Sequence, residues 1–274
     1  MKGEFLMSDL GLLSFYLSIE VRQGDGAITL RQAHYAKQIL ELAGMAECNS
    51  DETPMEERLR PSKDSEANQL DATQYWRIVG SLRCLVHTRP DLAFAVGFVN
   101  RFMERPTEEH HQAVVRLLRY VAGTLDYRLR YERHQRSAGV ISYSDADHGG
   151  DIDDRKSTSG TLFFLGGCLI SWQSDKQRVV SLSACEAEYI ATTTAATQAI
   201  WIARLLGDLL GTEPEAVGLK VDSKSALALA KNPVFHERSK HIHIRYHFIR
   251  SCLDEGSVKA SYIATKENIS VCFI

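Results

Sequence analysis

The sequence has six cysteines but no CxxC pair, the nearest two being Cys168 and Cys185. That spacing excludes a zinc ribbon, and the thiols are read as free, in a reducing intracellular compartment, cytoplasmic or nuclear. No apolar run approaches the roughly 20 residues of a membrane span. The opening "MKGEFLMSDLGLLSFYL" is broken by Glu4, Ser8 and Asp9, so it lacks the apolar core of a secretory leader. An excess of charge of either sign is lacking too. The net charge is −3, so any nucleic-acid contact must rest on local patches rather than a global field. With 44% apolar and 24% charged residues the chain is globular, and its 274 residues suffice for one large or two ordinary domains.

What is present changes character partway along. "LLSFYLSIEVRQ" and "AITLRQ" are strand-like runs joined through Gly24-Asp25-Gly26, a hairpin signal. "HYAKQILELAGM" has helical spacing with Gly44 as its stop. Residues 49–73 are polar and read as a long surface loop. Three helices are expected at Gln74–His87, Asp91–Met103 and Thr107–Ala122, with breaks at Arg89-Pro90 and Arg105-Pro106. The last puts Val114, Leu117, Leu118 and Val121 on one face. Arg116 and Arg119 lie opposite, either solvated or against a phosphate backbone. Trp76, Trp172 and Trp201 read as core.

Beyond a boundary near 134–138, "AGVISYSDAD", "TSGTLFFLGG", "CLISWQS" and "QRVVSLS" are short β-rich runs. A helix follows over Ala184–Leu210, ended by Gly211. Then come a strand "VGLKVD", a helix "SKSALALAKN", a longer helix over Ser239–Asp254 and a strand "VKASYIA". This order predicts an α/β mixed sheet with helices on its faces.

The stretch "YSDADHGGDIDDRKSTSG" holds five aspartates. Asp145 closes one strand and Asp222 closes another, and such ends converge where open sheets bind ligands. Two glutamates begin the long helix. In "SACE", Ser183 and Glu186 form a capping box, with Glu186 reaching back to the Ser183 amide. Glu188, about 200° further round, is left free. Three converging carboxylates repel unless a cation joins them. All-oxygen ligation suits Mg²⁺ or Mn²⁺, and two such ions can activate water for phosphodiester cleavage. Asp147, Asp151, Asp153 and Asp154 read as turn formers.

These residues carry a resemblance. "SDADHGGDIDDRKSTSGTLFFLGGCLISWQSDKQRVVSLSACEAEYIA" and "VDSKSALALAKNPVFHERSKHIHIRYHFIR" resemble the ribonuclease H domain of copia-type LTR retrotransposon Pol polyproteins. "VGSLRCLVHTRPDLAFAV" and "RFMERPTEEHHQAVVRLLRYVAGT" resemble the C-terminal part of their reverse transcriptase. The resemblance implies two parts. Residues 1–137 would be a mainly helical, thumb- or connection-like reverse-transcriptase region with an N-terminal hairpin. Residues 138–274 would be a ribonuclease H-like mixed sheet. The implied reaction is hydrolysis of the RNA strand of an RNA–DNA hybrid, with Asp145, Glu188 and Asp222 as catalytic metal ligands. The polymerase's Tyr-x-Asp-Asp motif does not occur, so DNA synthesis is not expected. The family continues after "TKEN" with a segment similar to "LADIFTK" that supplies a fourth carboxylate. Here the residues are "ISVCFI", so the second ion is expected to be weakened, cleavage impaired, and the tail not to form a closing helix. The rivals are a degenerate nucleic-acid-binding remnant and an accessory piece that holds a hybrid for the rest of the reverse transcriptase.

Lys240 and Arg245 in a basic segment, and Arg155 and Lys156 after the acid loop, are candidates for contact with a hybrid backbone. His243 and His247 have an i, i+4 zinc spacing, but no Cys or acid stands at a matching offset.

Overall fold

The computed structural model describes residues 11–56, 61–133, 139–231 and 247–274. The first part begins with β1 (Phe15–Tyr16), β2 (Ile19–Gln23) and β3 (Ala27–Arg31), antiparallel in sequence order. The hairpin expected from the glycine turn is β2–β3. A fourth strand, β4 (Leu129–Glu132), pairs with β3 from far along the chain, Leu30 opposite Leu129. Its four residues are too few for alternation to announce it.

Helices α1 (Ala33–Leu42), α2 (Ala72–Leu85), α3 (Ala93–Val99) and α4 (Glu108–Gly123) share one core, with Val79, Leu82, Val114, Leu117 and Val121 sealed from water. The helix expected over Asp91–Met103 is interrupted, because 3-10 turns at Pro90–Leu92 and Asn100–Phe102 flank α3. The outer face of α4 is not bare. The long polar loop returns over it, where Arg116 reaches Glu56 (3.1 Å) and Thr53 (2.8 Å) and Arg119 approaches Asp51 (3.9 Å).

The second part is built on β5 (Val140–Ala146), β6 (Thr158–Leu165), β7 (Cys168–Lys176), β8 (Val217–Val221) and β9 (Val258–Tyr262). Their order is β7-β6-β5-β8-β9, antiparallel through β5 and parallel from β5 to β9. This is the ribonuclease H-like mixed sheet that the resemblance implies. Three strands precede the long helix, and the β-rich run "QRVVSLS" is a loop leading to the Ser183 cap. Helix α5 (Ala184–Leu210) runs as expected, ending at Gly211 in the left-handed region (φ +67°), which glycine enters without strain. Ala187, Ala191, Ala195 and Ala199 recur every fourth residue and are sealed, so small side chains let α5 lie close on the sheet.

Helices α6 (Lys224–Lys231) and α7 (Phe248–Asp254) pack on α5. The rest of the helix expected over Ser239–Asp254, and the 134–138 boundary, lie outside the described residues. The opposite sheet face is covered by the first part. Ala93 of α3 packs with Leu162, Phe273 and Trp172, and the Trp172 indole donates to the Val86 carbonyl (3.2 Å). Trp172 is therefore core-facing as expected. Trp76 and Trp201 are not: they are 47% and 57% exposed, each on the outer side of a helix whose other side is buried. The tail forms one 3-10 turn, Ile269–Phe273, rather than a closing helix. It lies so close to β6 that a Cβ on Gly160 would meet Phe273 at 2.7 Å and the Ser270 carbonyl at 2.8 Å, which requires glycine there.

Candidate metal centre

Three elements bring three acids together. Ser144 of β5 lies opposite Val221 of the parallel strand β8, so the next residues, Asp145 and Asp222, emerge side by side at one sheet end. Glu188 comes from the second turn of α5. One carboxylate oxygen from each of Asp145, Glu188 and Asp222 lies within 4.8 Å of the others. Asp145 and Glu188 are buried and Asp222 is half-buried.

The hydrogen bonding leaves this group short of donors. Asp145 Oδ1 accepts from the Ala146 amide (2.9 Å), and Glu188 Oε1 shares that amide at 3.4 Å. Among the described residues, Glu188 Oε2 is sealed from water without a partner. Burial first, then the charges of Asp145 and Asp222, raise the Glu188 pKa well above the carboxylate range. Burial and the Asp222 charge likewise raise Asp145. A buried carboxyl oxygen with no donor is costly unless protonated or bound to a cation. The donor set is all oxygen, which fits Mg²⁺ or Mn²⁺.

Glu186 takes the structural role expected of it, with one correction. Ser183 Oγ accepts from the Glu186 amide (3.2 Å), but the Glu186 carboxylate accepts from the Leu182 amide (2.9 Å), one residue before the Ser183 amide expected. The reason is geometric: Ser183 is extended (φ −155°), which carries the preceding amide into reach.

The other four aspartates have their own partners. Asp147 Oδ1 accepts from the Thr158 amide (2.6 Å). Asp151 Oδ2 pairs with Arg101 (3.1 Å) and Lys176 (2.6 Å), and Asp151 Oδ1 accepts from the Asp153 and Asp154 amides. Asp153 accepts from Ser62 Oγ (2.6 Å), and Asp154 pairs with Lys176 and Lys156. They form a turn, and through Arg101 and Ser62 they also fasten it to the first part of the chain. Arg101 was not legible in advance, because nothing local in "VNRFMERP" marks its partner fifty residues on. Asn268 is a second omission: buried, it donates to the Ser144 carbonyl (3.1 Å) and fixes the tail beside β5.

Among the nucleic-acid candidates, Arg155 is exposed on the loop and Lys156 is half-buried against Asp154. Lys240, Arg245 and His243 lie outside the described residues. His247 Nδ1 stands 2.9 Å from the Tyr189 hydroxyl, a partner that its zinc spacing did not anticipate. Among the described residues no helix is long and apolar enough to cross a membrane.

A family profile described as reverse transcriptase (RNA-dependent DNA polymerase) matches residues 1–57. The retrovirus-related Pol polyprotein from transposon TNT 1-94 of Nicotiana tabacum is 40% identical over 96% of this chain and 20% of its own length. The chain thus spans about a fifth of that relative. An uncharacterized mitochondrial protein of Arabidopsis thaliana, AtMg00810, is 36% identical over 73% of this chain and 83% of its own. Among solved structures, RNase H1 from the halophilic archaeon Halobacterium salinarum NRC-1 covers 48% of this chain and 89% of its own at 15% identity, with a TM-score of 0.32. The strand order, not that overlay, carries the fold assignment.

Proposed function

Since this chain belongs to the copia-type retrotransposon Pol family, we propose that it hydrolyses the RNA strand of RNA–DNA hybrids through Asp145, Glu188 and Asp222. The polypeptide would comprise a reverse-transcriptase segment, 1–137, and a ribonuclease H-like unit, 138–274. The observation that carries the reading is the convergence of three carboxylates, with Glu188 Oε2 buried and unpartnered among the described residues.

Asp145, Glu188 and Asp222 would hold Mg²⁺ or Mn²⁺. When bound, such ions supply Lewis-acid activation of a water and neutralise charge on the phosphate. The protein's own part is to fix the three oxygens on two strand ends and a helix, and to keep two of them from bulk water. Arg155 would approach the hybrid backbone, giving affinity that falls with salt and has no base preference.

A second reading draws on the tail. Where the resembled segment "LADIFTK" carries its fourth carboxylate, these residues read "ISVCFI", with no acid among them. A chain that binds the ion and hybrid but turns over feebly or not at all fits this tail.

A labelled RNA–DNA hybrid incubated with the protein and Mn²⁺ or Mg²⁺ tests the first reading. Cleavage lost in Asp145→Asn and Glu188→Gln supports it. Cleavage that persists in both overturns it. Mn²⁺ and hybrid binding without cleavage, lost in the same variants, selects the second reading.

A further inference from the structure

We propose that Arg101, carried by the first part of the chain, is a positioning residue for the metal centre in the second. Its guanidinium spans the acid loop. Nη1 donates to Asp151 Oδ2 (3.1 Å) in the middle of the loop, and Nη2 donates to Thr158 Oγ1 (3.0 Å) where β6 begins. The side chain is 12% exposed and its charge lies 5.2 Å from the Phe98 ring centre, so packing from its own side fixes the fork.

Thr158 links this clasp to the metal ligand. Its amide donates to Asp147 Oδ1 (2.6 Å), and its carbonyl accepts from the Asp147 amide (3.1 Å). One step further along the same ladder are Ala146 opposite Ser159 and Asp145 opposite Gly160. Arg101 therefore closes the ladder at the end where Asp145 projects. The Asp147 carboxylate, the Ser157 hydroxyl and Gln177 also hold this end, all from within the second part; Arg101 ties it to the first part, and strand ends fray first. A planar fork serving two acceptors at fixed spacing is a task for arginine that a lysine ammonium cannot duplicate.

Lys176 provides the control. Its ammonium also neutralises Asp151 (2.6 Å), but it belongs to β7 of the second part, where its backbone lies opposite Thr158, and its ammonium also pairs with Asp154 (2.8 Å). If Asp151 needed only charge, losing Lys176 or Arg101 would have the same effect. If the clasp positions Asp145, only Arg101 matters for the strand end.

The consequence for catalysis rests on the metal reading above, but the strand end itself can be followed in metal-free protein. The experiment compares the full chain with Arg101→Met, Arg101→Lys, Thr158→Val and Lys176→Met. It measures hydrogen exchange at the Asp147 and Thr158 amides without metal, then Mn²⁺ affinity by calorimetry, then kcat and KM on a hybrid. Arg101→Met should speed exchange at those two amides by about tenfold and weaken Mn²⁺ binding by about tenfold. It should lower kcat while leaving KM for the hybrid within about twofold. Arg101→Lys should recover part of each loss, and Lys176→Met should leave both amides near the parent rate.

A folded Arg101→Met with parental exchange and Mn²⁺ affinity overturns the proposal, as does Lys176→Met matching it in every readout. If Arg101→Met does not fold, Thr158→Val decides, since it keeps the Asp151 pair: faster exchange at the two amides supports the clasp and unchanged exchange overturns it. If the parent chain cleaves nothing with either ion, the hydrolytic reading fails alone, and the exchange and Mn²⁺ measurements still decide the role of Arg101.

Discussion

Asp145 and Asp151 come from one acidic stretch, and the fold gives them opposite surroundings. Asp145 faces Glu188 and Asp222 at a strand end, and burial with like charge raises its proton affinity. Asp151 faces Arg101 and Lys176. Burial opposes its ionisation there, yet the Lys176 ammonium and the loop amides hold its pKa below the usual range. Composition cannot separate two aspartates on one loop. The partner elements do: β8 and α5 bring only acids to Asp145, whereas α3's end and β7 bring cations to Asp151. One site is left with a charge deficit that an ion can fill, and the other is already neutralised.

The comparison breaks most sharply in activity. Asp145→Asn should reduce Mn²⁺-dependent hybrid cleavage on the order of a thousandfold or more, since it removes a ligand from the reacting centre. In metal-free protein the same change should leave urea stability equal or slightly raised, because it relieves repulsion. Asp151→Asn should do the reverse. It takes the anionic partner from Arg101, which keeps only Thr158 Oγ1 and the Phe98 ring, and breaking a buried ion pair from one side should cost about 3 kcal/mol in a urea melt, with Mn²⁺ chemistry still detectable. Equal loss of stability in both variants would erase the distinction.

A smaller effect is expected from the tail. Val271 is 40% exposed and lines a cleft of about 620 Å³ with Asp147 and His148, beside the Asp145 strand end. Val271→Asp should raise cleavage several-fold with Mg²⁺ and less with Mn²⁺, because Mg²⁺ demands the more complete octahedral shell. The ratio of the two metal-dependent rates is the measurement. An unchanged ratio would show that the tail cannot place an acid at the site.

Much of the second part was legible because its signals are local. Ser183 and Gly211 delimit α5, and "VISYSDA" and "TLFFL" give β5 and β6. The strand ends at Asp145 and Asp222 then follow from the element order. The capping argument also separated Glu186 from Glu188 without any tertiary knowledge. What was not legible depends on partners distant in sequence. β4 is four residues long and is recognisable only through β3. "QRVVSLS" has β-formers but runs as a loop into the Ser183 cap. Trp76 and Trp201 are apolar by type and exposed by helix phase. Arg101 and the Asp151 loop meet only because α3 lies against the sheet, a contact no spacing rule announces.

The smallest effect belongs to Asp154, at the outer rim of the same loop. Burial opposes its ionisation, but the pairs with Lys176 and Lys156 and the Lys156 amide outweigh it and lower its pKa to about 2. The folded value lies below the ordinary 3.8, so the unfolded chain binds this proton first as pH falls. The stabilisation is therefore full above the ordinary carboxylate value and disappears as pH drops towards about 2. Asp154→Asn should then lower the melting temperature by only a degree or two, roughly, at neutral pH, since the pair is solvent-screened. The gap between parent and variant should stay constant down to about pH 4 and close as the pH approaches about 2. A gap that persists at the lowest pH where the protein still folds would mean that the amide side chain disturbs the turn itself. The lysine pairs would then contribute nothing to holding the loop beside Asp151.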